Sequence, residues 1–316
     1  MPASPLQALA GRHAHTWVQG AATDVEKRAD GTGYTVTVGG TRRLKCDAVV
    51  LALGPVGAPR IPRAFQGAKC PNIVHTDALF SGAGSGNTLR DIVHHRVASA
   101  TAASGLSTVL VIGGGLCAAQ AALAAHKAGA LVTLRSRRKL LTKDYDLNRD
   151  WLNFKKFNRL KHDFLAKPLE ERPAELAAAV DGGSVPTAYM QALERLSGPG
   201  SSLQIEVDPG IDGSKLEVGT DGTVAVGGAR FALVILATGT TLAPLSNPLF
   251  ANLHAKIPAR FIGTLPVLTP SLRWVETEKI FVVGAPGALE IGPGALNLMG
   301  GAATSASFCG CAVTVL

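Results

Sequence analysis

The 316-residue sequence predicts an α/β fold organised on parallel β-strands, and three observations carry that expectation. A strand, a glycine turn, an alanine-rich helix and a second strand follow one another between Val109 and Arg138. Two apolar runs, Asp47–Gly54 and Phe231–Gly239, each end at a glycine and suit strands buried on both faces. Each run is preceded by short alternating segments and turn residues, as in a β-meander.

Composition narrows the classes. Hydrophobic residues at 47% against 17% charged exclude a disordered chain, and the length accommodates two domains. The net charge of +8 suits anionic ligands. No nucleic-acid motif accompanies the cations at Lys155, Lys156, Arg159 and Lys161, which read as a solvated helix face. Five scattered cysteines, an odd number, point to free thiols in a reducing, cytoplasmic compartment. Cys309-Gly310-Cys311 lacks C-x-x-C spacing and further zinc ligands, so no metal site is expected. Met1–Pro5 has no signal-peptide character, and the uncharged stretch Ile291–Leu316 is too rich in Gly, Ser, Thr and Asn for a membrane span.

In chain order, Thr16–Gln19 begins a strand, and Thr23–Lys27 and Tyr34–Val38 flank the turn Asp30–Gly33. The buried run ending at Gly54 leads into a proline-braced crossing up to Pro62. Asn72–Asp77 reads as linker and Leu89–Ser99 as helix. Next comes Gly113-Gly114-Gly115-Leu116-Cys117-Ala118, the G-x-G-x-x-A form of the dinucleotide fingerprint, between a strand and a helix. In that pattern Gly113 makes the tight turn, Gly115 admits a pyrophosphate, and Ala118 lets helix and strand approach. The helix start offers N–H groups and a positive dipole end. Cys117 lies there too, either as a thiol of lowered pKa or simply as a small residue in a tight turn.

The second strand of the unit names the nucleotide. NAD sites place an acid about 20 residues past the glycines for the ribose 2′-OH. Here Arg135-Ser136-Arg137-Arg138-Lys139 contains none before Asp144. Ser136, Arg137 and Arg138 suit a 2′-phosphate, so NADP(H) is expected; the other reading is a solvated basic loop.

Trp151, Phe154 and Phe157 at i, i+3, i+6 suit one helical face, core-packed or substrate-facing. Gly182–Pro186 turns into a helix over Thr187–Leu196. Leu203–Val207, Lys215–Val218 and Thr223–Val226 form a second meander, followed by the run ending at Gly239. The sequence closes with strand Lys279–Val283, a turn containing Gly284, Gly292 and Pro293, and a small-residue helix over Ala295–Ala306. Meander, buried strand, glycine and proline thus occur twice, a repeat of a module. The second copy has a fingerprint before its meander and the first has none, so the chain is expected to start inside its first nucleotide-binding domain.

These pieces in this order resemble the two-dinucleotide-binding-domain flavoproteins, where an NADP domain is inserted into an FAD domain. The fingerprint, the glycines at 54 and 239 and the closing Gly284 turn carry the resemblance. His75-Thr76 is similar to the His-Ser of flavin monooxygenases, and the basic loop with Asp144–Trp151 resembles the N-hydroxylase branch. The resemblance implies a Rossmann-like NADP domain over 106–240 inserted into a partial FAD-binding domain, 1–105 and 241–316. It also implies hydride transfer from NADPH to FAD and oxygen transfer to a small molecule, with Gly54, Gly239, Gly284, Gly292 and Pro293 at the flavin. Three departures predict weakened FAD retention: no first fingerprint, Leu53 in place of a Thr, and Ala285 in place of an Asp. His75 is the one acid–base candidate, with a structural hydrogen-bonding role as its alternative. A non-catalytic dinucleotide-binding protein that has lost its flavin and a flavin-free NADP-linked reductase remain alternative readings, and homo-oligomerisation stays open.

Overall fold

The computed structural model describes residues 16–80, 88–180, 183–296 and 313–315. Its strands are β1 (Ala22–Lys27), β2 (Tyr34–Val38), β3 (Arg42–Cys46), β4 (Ala48–Leu51), β5 (Gly57–Pro59), β6 (Ile73–His75), β7 (Thr108–Ile112), β8 (Leu131–Ser136), β9 (Leu203–Val207), β10 (Leu216–Val218), β11 (Val224–Val226), β12 (Ala229–Phe231), β13 (Leu233–Leu236), β14 (Thr240–Leu242), β15 (Phe261–Ile262), β16 (Leu265–Pro266), β17 (Ile280–Val282) and β18 (Val313–Val315). The helices are α1 (Thr76–Phe80), α2 (Leu89–Ser104), α3 (Leu116–Lys127), α4 (Phe154–Leu165), α5 (Arg172–Val180), α6 (Thr187–Leu196), α7 (Pro248–Lys256) and α8 (Ala288–Ile291).

The architecture is α/β, with a Rossmann-like parallel sheet at its centre. That sheet has five strands in the order β6-β13-β7-β8-β9. Its central strands obey the period of two: Val109, Val111, Leu233 and Ile235 face one core with the helices α2, α3 and α6. Leu110, Ile112, Val234 and Leu236 face a second core under the meander β10-β11-β12. Alanines 118, 119, 121, 122, 124 and 125 of α3 are all buried, so the helix lies close on the strands.

A second parallel sheet has the order β17-β4-β18. Every residue of β4 is buried, as its apolar sequence requires of a central strand. The antiparallel meander β1-β2-β3 and helix α7 share this core. Trp274, 1% exposed, lies at its centre and donates from Nε1 to the Ile257 carbonyl at 2.7 Å. The two units join through β5 and β14, which pair antiparallel directly after the two glycine-ending strands.

Four sequence expectations are corrected. Thr16–Gln19 is not a strand: β1 pairs from Ala22 with Val38, and beyond Val38 the partner turns away at Gly39, leaving Trp17 85% exposed. Leu203–Val207 is not in the second meander but is the edge strand beside β8; the meander's third strand is Ala229–Phe231 instead. The supposed linker holds β6, paired to β13, and α1. Trp151 lies in a 3-10 turn, Arg149–Leu152, ahead of α4, so it does not share a helical face with Phe154 and Phe157. The helix expected over 295–306 falls almost wholly outside the described residues; Pro293–Leu296 is a 3-10 turn. Cys309 and Cys311 lie outside them as well. Among the described residues no helix is long and apolar enough to cross a membrane.

The meander is pinned to the second sheet by a polar lock. Buried Tyr34 donates to Glu278 at 2.7 Å and accepts from the Lys279 amide at 2.7 Å, while Lys27 pairs with Glu278 at 2.8 Å. Burial, then the Glu278 hydrogen bond, pushes the phenol pKa far up. Tyr34→Phe strands the Lys279 amide and removes a donor from Glu278. It is expected to cost about 1–3 kcal/mol in urea unfolding, the penalty of unpaired buried polar groups.

Candidate functional site

The site forms where β7, β8 and β13 end together. The Gly113 amide donates to Arg135 O at 3.0 Å, and the Ala237 amide donates to Ile112 O at 2.8 Å. The glycine turn therefore leaves β7 wedged between its neighbours, at the carboxyl edge where open α/β sheets bind ligands. A Cβ on Gly113 would overlap the Ala237 carbonyl oxygen and press on Ala118. Gly115 is the N-cap of α3, with no side chain to cap the first turn. An uncapped helix start behind a bare glycine turn is an anion seat. Ala118 is fully buried, as close helix–strand packing demands.

Ser136 and Arg137 flank that seat in different roles. Ser136 is buried, and its hydroxyl donates to the Arg138 carbonyl at 2.6 Å, so it shapes the loop. Gly114 sits above it: a Cβ there would come 3.6 Å from the Ser136 Cβ. Arg135 is committed to Glu206 on β9, at 2.9 and 2.7 Å. Arg137 and Arg138 are exposed. Arg137 faces Asp212 at 3.9 Å.

Sequence reasoning missed the wall opposite the glycines. A Cβ on Gly183 would lie 3.0 Å from Gly114 O and 3.3 Å from the Gly115 Cα. The segment is tied down by Val185, which bonds Leu141 and Lys143 through the backbone, and by a short Ser184–Asp146 hydrogen bond. The paired glycines at 182 and 183 were the available signal, legible only as a turn. Cys117 faces solvent beside this wall, and its thiol pKa is raised, by desolvation first and the Asp146 charge next. The lowered thiol pKa allowed by a helix start is therefore not realised.

Two more predicted residues, Gly54 and Gly284, meet at the end of β4, whereas Gly239 follows β13 and lies opposite Arg60, at the other end of β5. Val283 N bonds Leu51 O at 3.0 Å, so Gly54 and Gly284 follow adjacent parallel strands. Gly54, Gly239 and Gly284 all turn with φ between 68° and 77°, and open space surrounds each Cβ position. Gly292 and Pro293 are buried behind this turn. A Cβ on Gly292 would meet Phe164 at 3.4 Å and Trp151 at 3.6 Å. Trp151 stands edge-on to both Phe157 and Phe164, each at 6.3 Å, so these aromatics pack the turn. Buried Arg172 supports them, donating to Leu289 O at 2.8 Å and Leu165 O at 2.7 Å beneath the Phe164 ring.

No curated protein matches the sequence. Residues 6–152 match the family described as pyridine nucleotide-disulphide oxidoreductase. Among solved structures, the Kutzneria sp. 744 ornithine N-hydroxylase, with reduced FAD, NADP+ and L-ornithine, matches at TM-score 0.64 and 14% identity, over 90% of this chain and 69% of that one. The chain has the fold of the two-dinucleotide-binding FAD/NAD(P) oxidoreductases. Two more solved structures agree in fold. The Erwinia amylovora cadaverine monooxygenase of desferrioxamine biosynthesis, bound to FAD, matches at TM-score 0.57 and 13% identity, over 93% and 71%. The L-lysine 6-monooxygenase of Pseudomonas syringae matches at TM-score 0.57 and 18% identity, over 91% and 70%.

Within this fold, His75 is a strut. Its Nδ1 accepts from the Asp77 amide at 3.1 Å, which places the ring proton on Nε2, donated to Gly239 O at 3.1 Å. Desolvation lowers its pKa, against the Gly239 hydrogen bond and the Asp77 charge. The folded state thus favours the neutral imidazole, and the stability it adds is full above the unfolded-state pKa of about 6.5 and falls as pH drops below it. A His75→Gln variant is expected to show a shallower loss of Tm on acidification than the parent; parallel curves would contradict this.

Proposed function

We propose that this chain is an NADPH- and FAD-dependent oxidoreductase of monooxygenase type, acting on a nucleophilic centre of a small molecule. The observation that carries it is the uncapped start of α3 behind the bare Gly113–Gly115 turn, beside the exposed arginines at the end of β8. Gly113, Gly114 and Gly115 would give NADP(H) its pyrophosphate seat, with Cys117 and Ala118 in the first turn of the helix. Arg137 and Arg138 would take the 2′-phosphate on a loop shaped by Ser136.

The open turns at Gly54, Gly239 and Gly284 fit close backbone approach by FAD, and Gly292 and Pro293 would brace the last of them from inside. Flavin chemistry supplies hydride acceptance and oxygen activation; the protein supplies orientation and exclusion of water. Amines are the favoured substrate class, since the similar structures bear names of diamine and amino-acid hydroxylases. Free Cys46, Cys70 and Cys117 agree with a cytoplasmic setting. One observation favours a second reading, a dinucleotide-binding protein without stable flavin: Ala285 gives the Gly284 turn no side-chain acceptor.

Two measurements test the proposal. Flavin absorbance that survives gel filtration after FAD addition, with NADPH oxidation, supports the enzyme; a colourless protein that still binds NADPH supports the second reading. Arg137→Ala with Arg138→Ala is expected to weaken NADPH at least about tenfold, from two charge-assisted contacts, with little effect on NADH. Equal losses for both dinucleotides would remove the 2′-phosphate assignment.

A further inference from the structure

Strand β8 carries no acid at its end, yet the structure returns one to that place from elsewhere in the chain. The Asp208 amide donates to Ser136 O at 2.8 Å, fastening the exit of β9 to the exit of β8. Asp208 Oδ1 then accepts from the Gly210 amide at 2.9 Å. A 3-10 turn, Ile211–Gly213, follows, anchored by Ile211 at 1% exposure in the core under the second meander. Asp212 is carried on this fixed mount and faces Arg137, Oδ2 to NH1 at 3.9 Å. Glu206, the acid within β9 itself, is committed to Arg135.

We propose that Asp212 is a specificity-determining residue of the dinucleotide site, competing with the 2′-phosphate for Arg137 and so moderating the preference for NADPH over NADH. The inference rests on the NADP(H) reading above. The pair has the geometry for exchange: at 3.9 Å it is loose, and the side chains are 64% and 44% exposed, so the guanidinium can leave the carboxylate without stranding a buried charge. A phosphate dianion offers the same guanidinium a bidentate, charge-assisted partner, the stronger of the two. With NADH no phosphate competes, and the Arg137–Asp212 pair stays closed.

The test is calorimetric titration of NADPH and NADH into the full chain, Asp212→Asn, Arg137→Ala and the double variant at low salt. Asp212→Asn is expected to tighten NADPH about two- to fivefold, the scale of an exposed ion pair, and to leave NADH unchanged. With Arg137 already replaced by Ala, the same substitution should leave NADPH unchanged, because the contested group is gone. Equal tightening in both backgrounds would reduce Asp212 to simple charge repulsion and overturn the competition. No change on Asp212→Asn, with NADPH still favoured by the parent, overturns the proposal and leaves the NADP(H) site standing. A parent chain that binds NADPH no better than NADH, whatever the state of Arg137 and Arg138, removes the underlying site and the proposal with it.

Discussion

The approach of Gly113 to Ala237 is the contact on which the glycine turn and the start of α3 depend. Three parallel strands end within hydrogen-bonding reach, and a turn must pass between them without a side chain. Because that turn is bare, α3 starts directly beneath the sheet edge with its first-turn amides uncapped by any side chain. Because α3 starts there, the face it buries against the core is built of alanines, with Leu123 as its one larger buried side chain. The packing that holds the helix down and the exposed anion seat are two results of one steric requirement.

The two units are held together near their glycine turns. β5 and β14 pair where the crossings leave β4 and β13, and the Arg60 amide bonds Gly239 O at 2.9 Å. That carbonyl also receives the proton of His75. Arg172 plays the comparable part at the Gly284–Gly292 turn, joining the ends of α4 and α8. The Glu290 carboxyl beside it has its pKa raised by burial, against the Arg172 and Lys161 charges. These glycine turns are thereby stiffened by buried polar struts, the arrangement that limits reorganisation at a site.

The sequence made some of this legible and hid the rest for physical reasons. The fingerprint, both glycine-ending strands and the basic loop are local patterns, set by neighbours in the chain, and they lie where their spacing implied. The sequence does not place β9, because alternation in Leu203–Val207 reports one partly buried face, which an edge strand and a meander strand share. β6 is only three residues long, too short for any period to show, and exists because β13 offers it an edge. Gly183 and Asp212 reach the site across long stretches of chain, so no spacing rule could assign them. The aromatic segment was recognised and its geometry was not: the 3-10 turn before α4 moves Trp151 off the helical face and onto Gly292.

The position of β4 bears on the order of assembly. Both of its neighbours come from the far end of the chain: Val49 pairs with Ile280 on one side and Thr314 on the other. The five-stranded sheet, by contrast, draws all its strands from between Ile73 and Leu236. The pairings of β4 therefore span most of the chain and carry a high loop-closure cost, while the five-stranded unit joins segments nearer in sequence and can close first. The five-stranded unit then provides the scaffold on which β4 and its distant partners dock, through the β5–β14 pair that follows the two buried strands.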